Sequence, residues 1–280
     1  MQTNYEVRYA TNPNDFKTYD TERIRHDFLI KGLMQADQVN MVYTHYDRYI
    51  AGGAMPVKEQ LTLETIDPLK ADYFLERREL GIINVGNKGT VIVDGIKMEV
   101  DFKEALYVGR GAKEVIFEST DSSNPSLFYF NSAPAHHAYE TKLIKREDAE
   151  IVELGALETS NARTIRKLIV NSIVQTCQLQ MGMTELKTGS VWNTMPAHIH
   201  DRRMEVYFYF ELAEDQAVCH FMGQAQESRG VWLQNQDAVI SPPWSMHCGA
   251  GTSNYTFIWG MAGENLDYGD MDKFSPGEMK

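Results

Sequence analysis

Short runs rich in β-branched and aromatic residues, separated by turn residues, recur along most of this chain and restrict it to a β-sandwich or barrel. A first set covers residues 39–46, 49–55, 79–84, 89–93, 97–100, 105–108 and 114–117. A second covers 174–186, 205–212, 217–222, 231–234, 238–241 and 255–261. Asp94-Gly95 falls between two of these runs, and this dipeptide favours the tight turn of a β-hairpin. Residues 21–33 carry apolar side chains at helical spacing, with Thr21 as the expected N-cap. Residues 133–137 (APAHH) read as loop, and 145–166 mix charge with few periodic apolar positions, as a linker would.

The two β sets are related to each other. Leu75-Glu76-Arg77-Arg78-Glu79-Leu80-Gly81-Ile82-Ile83 matches His200-Asp201-Arg202-Arg203-Met204-Glu205-Val206-Tyr207-Phe208 if one extra residue is allowed in the second copy. Glu104-Ala105-Leu106-Tyr107-Val108-Gly109 matches Asp237-Ala238-Val239-Ile240-Ser241-Pro242 further on, in the same order. Two matches in sequence predict a duplicated β domain, divided into residues 1–145 and 146–280.

The net charge of -12, from 39 acidic and 27 basic residues, gives a surface that repels phosphate backbones and anionic lipid. Nucleic acid and membrane surfaces are therefore not expected partners, and an anionic substrate would need a local cluster of Arg or Lys. Three widely spaced cysteines, Cys177, Cys219 and Cys248, form no paired framework and point to a reducing compartment. The polar start MQTNYEVRYATNPNDF has no apolar core of the kind found in a signal peptide, so a cytoplasmic location is expected.

The strongest chemical signal is Pro196-Ala197-His198-Ile199-His200-Asp201-Arg202-Arg203-Met204-Glu205. Residues two apart on a strand face the same side, so His198 and His200 can present both imidazoles to one space. Glu205 has the wrong parity for one continuous strand. A turn at residues 201–203 would deliver it from the adjacent antiparallel strand. His247 supplies a fourth group from a later strand or the loop leading into it. Three imidazoles and a carboxylate suit zinc, and also iron, manganese, nickel or copper. The first copy has no His-x-His before Glu79, and Glu114 stands where His247 falls in the second, so the first domain is expected to be metal-free and structural. Cys248 would point away from a His247 that faces inward, and is read as a small buried side chain. His45, His136 and His137 are candidates by composition only.

The His198-x-His200-x4-Glu205 element followed by His247 resembles the two metal motifs of the cupin superfamily. The usual landmarks are partly kept: Gly189 lies on the approach, and Pro242-Pro243 replace the Pro-x-Gly turn. Longer blocks resemble the 5-keto-4-deoxyuronate isomerase family. They are Met41-Val42-Tyr43-Thr44-His45-Tyr46-Asp47-Arg48, Tyr73 to Gly81, Trp192-Asn193-Thr194-Met195-Pro196, Arg202 to Phe210 and Tyr255 to Met261. The resemblance implies a bicupin: all-β, two double-stranded β-helix barrels with a few short helices. It also implies one Zn2+ per chain on His198, His200, Glu205 and His247, a homohexamer, and a small sugar-acid substrate. The implied reaction belongs to pectin and polyuronide breakdown, and converts 5-dehydro-4-deoxy-D-glucuronate to 3-deoxy-D-glycero-2,5-hexodiulosonate.

Such an aldose–ketose isomerisation moves a proton between neighbouring carbons and needs no redox cofactor. Tyr207 and Tyr209 share strand parity with Glu205 and are placed to line its cavity, or to fill the barrel as ordinary aromatics. Arg202 or Arg203 can grip a substrate carboxylate with two parallel hydrogen bonds, or close a surface turn. The opposite face, Val206, Phe208 and Phe210, suits burial by a second sheet or subunit. Two other readings stand beside the isomerase. One is another cupin enzyme, either the deoxy-glucuronate isomerase of inositol breakdown or a metal dioxygenase. The other is a non-catalytic sugar-binding cupin.

Overall fold

The computed structural model describes residues 2–264, 266 and 268–280, and places nearly half of them in β-strands arranged in four sheets. Two compact units result. One comprises Met1–Arg8, Gly32–Glu150 and Leu168–Met181; the other comprises Tyr9–Lys31, Ile151–Lys167 and Gly182–Lys280.

In the first unit a seven-stranded sheet has the order Gln2–Arg8, Gln38–Thr44, Ile50–Ala54, Phe128–Pro134, Arg78–Asn84, Ala105–Val108, Lys142–Ile144. A four-stranded sheet of Leu61–Thr62, Val115–Ser119, Gly89–Val93 and Ile96–Val100 faces it. Met41, Ile50, Leu80, Ile82, Phe117 and Phe130 belong to one buried apolar cluster that forms the core of this unit. The hairpin at Asp94-Gly95 forms as expected, with Val93 opposite Ile96. Both turn residues have positive φ, 47° and 83°, which matches the right-handed twist of the strands they join.

The second unit repeats the plan. Its larger sheet has seven strands in the order Glu150–Leu154, Arg163–Ile169, Gln180–Leu186, Thr256–Gly263, Arg203–Phe210, Ala238–Ser241, Leu29–Ile30. A five-stranded sheet has the order Glu227–Leu233, Val218–Gln224, His247–Gly251, Trp192–Ile199, Asp272–Phe274. Arg203–Phe210 lies between Thr256–Gly263 and Ala238–Ser241, as Arg78–Asn84 lies between Phe128–Pro134 and Ala105–Val108. Arg203 pairs with Gly263, the last residue of its strand, and Arg78 pairs with Pro134, likewise a last residue. Arg78 and Arg203 are therefore equivalent positions of the two copies.

That register corrects the match of Glu79 with Glu205. Arg203, Glu205 and Tyr207 alternate onto the inner face of the second unit, and their equivalents by parity are Arg78, Leu80 and Ile82. Glu79 points to the other face. There its carboxylate accepts the Cys177, Gln178 and Leu179 amides at 2.8, 2.9 and 2.8 Å and the Tyr107 hydroxyl at 2.8 Å. A strand period of two means that one inserted residue moves a side chain through the sheet.

The division at 145/146 is also corrected. Residues 9–31 belong to the second unit because Phe16 and Phe28 pack on Trp244, with ring centroids 5.2 and 6.4 Å away, and Leu29–Ile30 pairs with Ala238–Ser241. Residues 168–181 belong to the first, where their amides satisfy Glu79. The expected linker at 145–166 contains the strands Glu150–Leu154 and Arg163–Ile169. Four of the five residues of Glu150–Leu154 are exposed, so that strand carries no hydrophobic alternation to read. The strand expected from residue 174 starts at Gln180, and Phe128–Pro134 carries strand pairing into the expected loop at Ala133 and Pro134. The helix spans Thr21–Phe28, and its N-cap is Asp20, which accepts from the Arg23 amide at 2.8 Å. Val206, Phe208 and Phe210 are buried within the single chain.

Candidate metal centre

His198 is the next-to-last residue of the strand Trp192–Ile199, and His200 lies one residue beyond it. A tight step follows, with the Arg203 amide donating to the His200 carbonyl at 3.2 Å, and Arg203–Phe210 begins at once. The two strands belong to different sheets of the second unit, so the step crosses from one sheet to the facing one instead of turning between neighbours. Crossing the barrel in this way explains how a carboxylate five residues after His200 can face it. His247 opens the strand His247–Gly251 directly opposite His198 in the ladder. The same ladder shifts register between Asn193 and His198, and residues 194–196, freed from regular pairing, line the cavity above the histidines.

The four expected ligands converge. His198 Nε2 lies 3.2 Å from His200 Nε2 and 3.1 Å from His247 Nε2. Glu205 Oε2 lies 2.8 Å from His247 Nε2 and 3.6 Å from His200 Nε2. One ligand atom from each residue falls within 4.8 Å of all the others. All four residues are at most 9% exposed. Zinc–nitrogen bonds of about 2.0–2.1 Å in a tetrahedron give edges of about 3.3–3.4 Å, close to these separations. The outward nitrogens are engaged elsewhere: His200 Nδ1 with the Asp270 carbonyl at 3.0 Å, His198 Nδ1 with the Pro196 carbonyl at 3.4 Å, His247 Nδ1 with Ser241 Oγ at 3.1 Å. A carbonyl only accepts, so the Pro196 contact puts the proton on Nδ1 of His198 and turns its Nε2 lone pair to the centre. Among the described residues, Glu205 Oε2 is buried without a hydrogen-bond donor. An acceptor-only cluster of this kind fits a divalent cation.

The electrostatics agree. Burial, reinforced by His247 and His200, pushes the His198 imidazole down to about 2, so it stays neutral and its lone pair is available. Burial alone would raise the Glu205 carboxyl, but His247 and His200 hold it below the ordinary range, and it is an anion.

A cavity of about 330 Å³ opens over the cluster. Arg163, Thr194, Tyr207, Trp259 and Lys273 line it together with His198, His200 and Glu205. Arg163 is buried, and its Nη1 and Nη2 donate to the carbonyls of Asn161 at 2.9 Å and Met195 at 3.5 Å. Glu205 is the one carboxylate among the described lining residues. Tyr207 shares a hydrogen bond of 3.0 Å with Thr194, and its ring centre lies 5.4 Å from that of His247. Burial raises its phenol well above the ordinary value, so it is a neutral donor. Trp259 Nε1 is a buried donor with no partner among the described residues.

Several expectations are redistributed. Tyr209 is absent from the lining and bonds instead to His220 Nδ1 at 2.8 Å. Arg203 is placed behind His200, with its side chain wholly buried and 2.6 Å from Asp270 Oδ1, so it orients a ligand and does not reach the cavity. Arg202 is exposed and faces Glu264 at 3.3 Å. Cys248 packs with Ala197 and Met246, and burial pushes its thiol up to about 12. His45, His136 and His137 lie in the first unit and are exposed. Arg163, Lys273, Trp259 and His220 escaped the sequence reading. Arg163 sits in the segment taken for a linker, and none of the four belongs to a spaced motif.

The family described as KduI/IolB matches residues 28–274. A 4-deoxy-L-threo-5-hexosulose-uronate ketol-isomerase from Formosa agariphila is 65% identical over 272 residues, 97% of either chain. One of the same name from Bacteroides fragilis is 61% identical over the same share. Among solved structures, an IolB-like protein from Salmonella typhimurium aligns with a TM-score of 0.64 at 14% identity, over 81% of this chain and 86% of that one. Oxalate decarboxylase from Lactobacillus farciminis aligns with a TM-score of 0.56 at 8% identity, over 81% and 79%. At such identities the likeness is one of fold, that of a bicupin.

Proposed function

Because this chain belongs to the KduI/IolB family, we propose that it is a ketol-isomerase acting on 4-deoxy-L-threo-5-hexosulose uronate in polyuronide breakdown. Relatives at 54–65% identity bear that activity in their names, across 95% or more of this chain. The observation that carries the reading is the meeting of three imidazoles and a carboxylate on the floor of a cavity whose wall holds a buried arginine. His198, His200, Glu205 and His247 would hold one zinc ion. When bound, that ion supplies a Lewis acid for the carbonyl undergoing isomerisation.

The protein's own groups do the rest. Arg163, with Lys273 beside the same cavity, receives the uronate carboxylate and fixes the reacting carbons over the cluster. Tyr207, neutral and held by Thr194, donates a hydrogen bond to a substrate oxygen as charge develops on it. Trp259 Nε1 offers a second donor for a substrate hydroxyl or carbonyl. The proton passes between adjacent carbons through an enediol, which consumes no nicotinamide or oxygen. A homohexamer in the cytoplasm is the assembly and location that the family resemblance and composition favour.

The test is to incubate purified protein with lyase-derived unsaturated uronate in deuterated water and follow products by NMR, with metal content measured in parallel. Conversion to the 2,5-diketo acid with deuterium at the receiving carbon, lost on chelation and restored by zinc, is expected. Failure to convert a metal-loaded sample overturns the proposal.

A further inference from the structure

The first unit has a cavity of its own, of about 220 Å³, lined by Tyr43, Arg48, Leu69, Phe74, Arg77 and Arg78, with Pro68, Ala71 and Pro134. Three arginines meet here in a chain whose net charge is -12. No carboxylate is among the described residues that line the cavity. Arg78 is 5% exposed. Its Nε donates to Ser132 Oγ at 3.0 Å, and its Nη2 to the carbonyls of Arg48 at 2.7 Å and Ser132 at 2.8 Å, all neutral acceptors. Arg77 likewise donates to the carbonyls of Leu69, at 3.2 Å, and Lys70.

The duplicated fold supplies the comparison. At the equivalent position of the second unit, Arg203 is matched by the carboxylate of Asp270 at 2.6 Å. Arg78 keeps the same place at the start of its strand, and the neighbouring Glu79 is turned to the far face to cap backbone amides. A buried guanidinium with no counter-ion among the described residues is costly, and burial already draws Arg78 down to about 10. An anion entering the cavity would meet Arg78 at its inner end and the exposed Arg48 and Arg77 at its rim.

We propose that this cavity is a binding site for a small organic carboxylate, held by Arg48, Arg77 and Arg78 with its carbon skeleton against Leu69, Phe74 and Pro134. The volume lies below the roughly 300–1,000 Å³ of drug-sized ligand pockets, which sets the size of the guest. Planar guanidinium forks match a carboxylate in two parallel hydrogen bonds. The apolar remainder of the lining distinguishes a carboxylate with a carbon body from a phosphate, whose charge wants donors on every side.

The test uses the full-length, zinc-loaded protein, with benzoate as the probe and benzamide as its neutral counterpart. Calorimetry should show one benzoate bound per chain by the wild type and by Arg163→Gln, binding weakened at least tenfold in Arg48→Gln/Arg77→Gln, and no benzamide bound. Both substituted arginines are exposed, and the Arg77 guanidinium bonds only backbone carbonyls, so the double variant keeps the fold; its wild-type melting temperature would check this. Equal benzoate binding by wild type and double variant overturns the proposal, as does loss of binding in Arg163→Gln instead, which would place benzoate over the metal centre. Inorganic phosphate binding more tightly than benzoate overturns the carboxylate assignment. A double variant that sediments as a smaller species, with no benzoate bound by the wild type, overturns it in favour of an acidic group from a second copy of the chain.

Discussion

The Arg203 guanidinium and the Asp270 carboxylate form an ion pair at 2.6 Å whose basic partner is wholly buried, and the same two residues meet Nδ1 of His200. The Asp270 carbonyl lies 3.0 Å from that Nδ1, so the pair pins the segment that orients a candidate metal-ligand ring. Asp270→Ala removes a carboxylate that lies 2.6 Å from a buried guanidinium, and breaking a buried pair costs several kcal/mol in general. Asp270 is 24% exposed, and solvent reduces the loss to about 1–3 kcal/mol. Denaturation should show a lower midpoint, and competition with a chelator should show zinc affinity weakened about 10–100-fold. Unchanged zinc affinity would separate the pair from the centre.

Arg163 is the buried cation in the wall of the metal cavity. Arg163→Met should raise KM for the uronate about 30-fold, corresponding to about 2 kcal/mol, and leave kcat within a few-fold. The kcat–KM split decides between substrate binding and a structural role, since a structural loss would lower the active fraction without moving KM.

Tyr207 is held as a neutral phenol by burial and by its bond to Thr194. Tyr207→Phe removes one donor from the cavity and should lower kcat about 10–100-fold. Because the phenol is raised well above its ordinary value, it does not ionise between pH 6 and 9. The pH–rate profile of the variant should therefore keep the shape of the wild type, and a vanished alkaline limb would contradict the assignment.

Burial lowers the His220 imidazole to about 3. The unfolded chain, with its histidine near 6.5, binds the extra proton first, so folding stability contributed by neutral His220 is full above about pH 6.5 and falls as pH drops towards 3. The slope is about 1.4 kcal/mol per pH unit from this group. Urea melts of zinc-saturated protein from pH 4 to 6 should show a shallower pH dependence for His220→Gln than for wild type. Parallel slopes would mean that the imidazole is not kept neutral by the fold.

Glu79 accepts three backbone amides and the Tyr107 hydroxyl in the first unit. Glu79→Ala leaves those donors buried and unmatched, a loss of about 3–5 kcal/mol. The variant should melt well below wild type yet retain its zinc, because no ligand of the metal centre is touched. Zinc lost in step with stability would tie Glu79 to the metal centre.

The features legible from the amino acids are those that depend on local period and spacing. Alternating apolar runs, the Asp94-Gly95 hairpin and the duplication follow from a side-chain period of two and from turn chemistry. His198, His200, Glu205 and His247 were recognisable as a set through their spacing and family resemblance, and they do converge. Three-dimensional structure alone decided what lies across from what. The sheet-to-sheet step at residues 201–203, the outward turn of Glu79, the burial of Arg203 against Asp270 and the presence of Arg163 in the cavity wall all depend on pairings between distant segments. A one-residue change of register sends a side chain through the sheet, so composition cannot tell a buried guanidinium with a counter-ion, Arg203, from its equivalent without one, Arg78.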